Sequence, residues 1–85
     1  MSQNEEVRFL PYEQAVKLVA AIQEEEDVAR PDHRVLTVYN HDDREICWFD
    51  FDEVMEAVSP VEKSREKEMV SEYILRHLPD WALDI

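Results

Sequence analysis

The chain contains no glycine in its 85 residues. A glycine-rich loop that cradles phosphates is therefore impossible, and any left-handed backbone position must fall to Asn or Asp. Cysteine is nearly absent as well. The single residue, Cys47, cannot form an intramolecular disulfide and fits a reducing compartment. Bases are scarce, 9 Lys and Arg against 21 Asp and Glu, for a net charge of −12. No window is basic enough to hold phosphates, which counts against direct binding of nucleic acid or of an anionic membrane surface. The longest wholly apolar run, residues 18–22, is far shorter than the roughly 20 residues of a membrane-spanning helix. The start carries acids rather than a basic region and an apolar run, so the expected location is cytoplasmic.

What remains is 45% hydrophobic and 35% charged, a mixture too apolar for a disordered tail. The length gives one domain, residues 1–85, with residues 1–6 as a frayed tail and residues 79–85 as a tail that docks on the body or on a second copy. Residues 7–10 are a candidate short strand. Residues 11–25 read as a helix, because Tyr12, Ala15, Val16, Leu18, Val19 and Ile22 form one stripe. Glu24, Glu25, Glu26 and Asp27 would fall where the helix dipole is negative, so that helix either stops early or carries an acidic patch that something else uses.

Residues 34–39 and 44–50 read as a β-hairpin joined by the polar turn Asn40, His41, Asp42 and Asp43. On the return strand Cys47 and Phe49 take one face, while Ile46 and Trp48 take the other. Two apolar faces on a hairpin require a cover on each side, so Ile46, Trp48, Val35 and Tyr39 are expected beneath a helix, a subunit partner or a target. Asp50 and Glu53 match a capping box and start a short helix. Ser59 and Pro60 end it and are read as the start of a third helix running to about Leu78, whose first turns lack apolar residues and stand clear of the core. The fold class that follows is α+β, an antiparallel hairpin, with residues 7–10 as a candidate third strand, packed against about three helices.

No catalytic constellation emerges. His41, Asp42 and Asp43 supply metal-ligand types, but His33 and His77 have no supporting spacing. The segment from Asp50 to Glu53 lacks the glycine and ligand spacing of a calcium loop. Asp32 and Glu45 could stand as the acids of a nuclease pattern, yet Cys47 occupies the place of its lysine. Cys47 has apolar and acidic neighbours, unlike a nucleophile. The expectation is a non-enzyme with no cofactor and no metal.

The acidic balance instead suits a basic protein partner, steered by long-range attraction. In size and charge the chain is similar to phage-encoded inhibitors of host enzymes, such as anti-CRISPR proteins and the uracil-DNA glycosylase inhibitor, and to bacterial immunity proteins or antitoxins. No motif of those families carries over to positions here. The resemblance implies an inhibitor that blocks a nucleic-acid-handling protein by occlusion or by mimicry of the phosphate backbone. Its contact residues are expected at Glu24, Glu25, Glu26, Asp27, Asp42, Asp43, Trp48, Asp52 and Glu56, with Trp48 as the aromatic anchor. The alternative is a homodimeric structural or regulatory subunit whose charge serves solubility.

Overall fold

The computed structural model describes residues 8–84. Pro11 opens helix α1, Tyr12–Leu18, and the chain passes without a loop into strand β1, Val19–Glu26. The hairpin follows as β2, Arg34–Asn40, and β3, Glu45–Asp50, leading directly into α2, Phe51–Val58. A 3-10 turn at Lys63–Arg65 precedes α3, Glu66–Arg76, and a second at Asp80–Asp84 closes the described chain. The three strands form one antiparallel sheet in the order β1-β2-β3. The α+β architecture of a small three-stranded sheet with three helices is thus as the sequence indicates.

The third strand is not where the sequence placed it. Val7 lies outside the described residues, and Phe9 makes only a single bridge to Pro79. The strand comes instead from the second half of the expected first helix. Helical spacing is satisfied through Leu18, but Val19 is already extended. Pairing with β2 satisfies the backbone and gives the acids partners: Glu24 meets Arg34, and Glu25 accepts from Thr37 and Tyr39. A helix would have collected those same acids at its negative end, so tertiary pairing overrides local periodicity.

Register determines the faces. Ile22, Val38 and Cys47 lie in one row and Leu36 and Phe49 in the next, all on the side that packs against the helices. The core joins Leu36, Val38 and Ile46 from the sheet to Val54 of α2 and to Val70 and Ile74 of α3, with Leu78 just beyond. Each such side chain contributes about 1.5–3 kcal/mol by leaving water. Ile46 was expected opposite Cys47. A register shift between Val38 and Tyr39 bulges the strand there, and Ile46 is buried in the core.

Two local expectations hold. Asp43 adopts φ 63°, the left-handed position for which the chain has no glycine, and the buried Asn40 side chain accepts from the Asp42 and Arg44 amides to fix the turn. Asp50 caps α2 by accepting from the Glu53 amide at 3.0 Å. One other needs correction. The third helix starts at Glu66, because Ser59 is extended before Pro60, as residues before proline prefer, and Glu62 is extended too. The C-terminal segment docks through Ala82, which is fully buried, while Trp81 and Leu83 remain 53% exposed.

Candidate protein-binding surface

Among the described residues the helices cover one face of the sheet and leave the other open. Alternation along the strands puts Gln23, Thr37 and Trp48 in one row of the open face, with Glu25, Val35 and Asp50 in the next. Trp48 is 60% exposed, while its cross-strand neighbour Thr37 is only 1% exposed. The Thr37 hydroxyl is satisfied by donating to Glu25 Oε1 at 2.8 Å, and the Tyr39 hydroxyl donates to the other oxygen of the same carboxylate. These bonds hold Glu25 below its usual carboxylate value, the Tyr39 bond more than the Thr37 bond, and push Tyr39 up to about 12. The network ties β1 to β2 beside Trp48.

Beside Trp48 a depression of about 270 Å³ runs over Val35 and Thr37. Its rim carries Glu25, Glu26, Asp27 and Glu45, and among the described residues no base lines it. Val28, fully exposed, adds an apolar lip. An aromatic surface ringed by carboxylates suits the stem and charged head of Lys or Arg, which lays apolar carbon on the ring while its cation meets the acids.

The sequence-derived contact residues divide among three regions. Trp48, Glu25, Glu26 and Asp27 all border the depression beside Trp48, although Glu25 is engaged by Tyr39 and Thr37. Asp27 accepts from the Ala29 amide in the turn that follows β1. Glu24 points to the helical side, where it pairs with Arg34 and borders a groove of about 300 Å³ with Ile22, Phe51 and Met55. Asp42 and Asp43 occupy the β2–β3 turn, roughly 20 Å along β2 from Glu26. Asp52 lies in the first turn of α2, and Glu56 on the exposed surface of that helix, across the sheet from Trp48. Sequence reasoning placed Val35 on a face that a partner could cover but missed Glu45 and Val28. Strict alternation along β3 would put Glu45 on the Cys47 and Phe49 face; the bulge at Ile46 brings it opposite Tyr39 on the open face, and the contribution of β1 to the sheet closes the rim.

One cluster mixes metal-ligand types: atoms of His33, Asp50 and Asp52 lie within 4.8 Å of one another. Sequence spacing gave no hint of it, because the loop before β2 folds back onto the start of α2. Asp50 uses one oxygen for the Glu53 amide and directs the other at His33 Nε2, 2.7 Å away, so a cation would have to displace that contact. Cys47 is buried, and its thiol is pushed up to about 11 by loss of water, the opposite of an activated nucleophile. Among the described residues no helix is long and apolar enough to cross a membrane.

No protein family matches the chain, and neither a characterised protein nor a solved structure is significantly similar to it.

Proposed function

We propose that this protein is a binding module for a basic protein, acting by covering a cation-rich surface of its partner. The observation that carries this reading is Trp48, exposed on an uncovered sheet face and ringed by acids without a base. A partner of the nucleic-acid-handling class suits it, because such proteins present lysines and arginines in an open groove. Covering that groove inhibits the partner. The acids lie in three separate regions rather than one row, which favours occlusion anchored at Trp48 over imitation of a long phosphate backbone.

The test is capture of partners from nuclease-treated lysate at low salt, comparing the wild type with Trp48→Ala, Glu26→Lys with Glu45→Lys, and Glu56→Lys as a control on the far side. The expected result is a basic protein retained by the wild type and the control, lost from the other two, and inhibited in its own nucleic-acid assay. Equal capture by all four, or no basic protein at low salt, would overturn the reading.

A second reading, a homodimeric accessory subunit, is favoured by Trp81 and Leu83, both half exposed near the described C-terminal end. Sedimentation velocity separates the two. A tight dimer broken by Trp81→Ala, with no basic partner captured, would select the subunit.

A further inference from the structure

Among the described residues both edges of the sheet lack a strand partner, and the two edges differ. The β1 edge is interrupted by a register shift at Ala20 and ends in Gln23, Glu24, Glu25 and Glu26, so charge and irregularity blunt it. The β3 edge has an apolar middle of Ile46, Cys47, Trp48 and Phe49, with acids only at its ends, Glu45 and Asp50. Neither proline nor lysine guards it, and among the described residues no strand or helix pairs with it. A groove of about 410 Å³ runs along this edge, bounded by Cys47, Trp48 and Phe49 on the strand and by His77, Pro79 and Trp81 across from it.

We infer that the free edge of β3 takes an extended segment of a basic partner as a fourth, added strand, with Trp48 and Trp81 on its two sides. This rests on the proposal of a basic protein partner and specifies how that partner is held. Main-chain hydrogen bonds along the edge supply affinity, and alternate side chains supply selectivity. Charge decides the occupant. Two copies joined symmetrically about the bond between Cys47 and Trp48 would set Glu45 against Asp50 of the other copy at both ends, on chains of net charge −12 each. The chain's own first seven residues, which lead into Arg8 beside Asp80, contain Glu5 and Glu6 and no base. A segment with Lys or Arg facing Glu45 and β-branched residues beside it meets that acid and lays its apolar part on Trp48.

The experiment adds acetylated, amidated Lys-Thr-Val-Thr-Val-Lys to the ¹⁵N-labelled full chain at low salt. Two further peptides are compared: the same sequence with alternate backbone nitrogens methylated, and one with Glu in place of Lys. The expected result is slowed amide exchange in β3, binding about tenfold or more weaker after methylation, and no binding of the Glu peptide. Equal binding by the parent and methylated peptides overturns strand addition while leaving the basic-partner reading intact. Absence of binding by the parent peptide also overturns it, and capture by the Trp48 surface then tests the broader reading alone. Binding of the Glu peptide as tightly as the Lys peptide sinks both. Exchange already slow in β3 of the free chain names another occupant, a second copy if it depends on concentration and the chain's own residues if it does not.

Discussion

His33 Nε2 lies 2.7 Å from Asp50 Oδ2, tying the loop that joins β1 and β2 to the N-cap of α2. The same carboxylate accepts from the Glu53 amide, and that bond chiefly holds Asp50 below its ordinary 3.8, with His33 adding to the effect. A carboxylate depressed in the native state contributes stability in full above its unfolded value and loses it as pH falls through the lower native value. The melting temperature should therefore fall on acidification below about pH 4, and less steeply in Asp50→Asn, since asparagine keeps a capping oxygen but does not titrate. Thermal melts from about pH 6 to about pH 2.5 check this. Parallel profiles for the two proteins would count against it.

Tyr39 gives the opposite sign. Its bond to Glu25 favours the neutral phenol and raises it from 10.0 to about 12, so the stability it contributes is complete below 10.0 and disappears as pH rises through about 12. Phenolate absorbance should show one tyrosine ionising near 12, and Glu25→Gln should bring it back towards 10.0.

Cys47 should be silent towards thiol reagents. Burial holds it as a thiol with a value near 11, so a disulfide-exchange reagent at neutral pH should react slowly with the native protein and at once in denaturant. Prompt labelling of the native chain would mean that the edge at β3 opens readily.

Core and surface should respond unequally to truncation. Ile74 is fully buried, and Ile74→Ala should cost about 2–5 kcal/mol in urea unfolding, against about 0.5–1.5 kcal/mol for Ile74→Val. Leu83, 53% exposed, should tolerate alanine within about 0.5 kcal/mol. A large loss at Leu83 would show that its surface is covered, as in a dimer.

The hairpin and its helix were legible because their signals are local. Asn40 and Asp43 form the turn that a glycine-free chain requires, and Asp50 caps α2 three residues before Glu53. The contribution of residues 19–26 was not legible, because their identity as a strand depends on Thr37, Tyr39 and Arg34, which lie 10 to 14 positions away from the acids they meet. That one misreading hid the central position of β2. It also hid the separation of Glu24 from Glu25 onto opposite faces and most of the rim around Trp48. Ile46 was misplaced for a related reason, since a bulge depends on both strands and leaves no mark in one.

Both tryptophans, Trp48 and Trp81, sit largely in water, 60% and 53% exposed, in the folded protein. Their emission should therefore already be red-shifted in the native state and change little on denaturation. Unfolding is better followed by circular dichroism, while a blue shift in tryptophan emission becomes a label-free signal that something has covered the sheet.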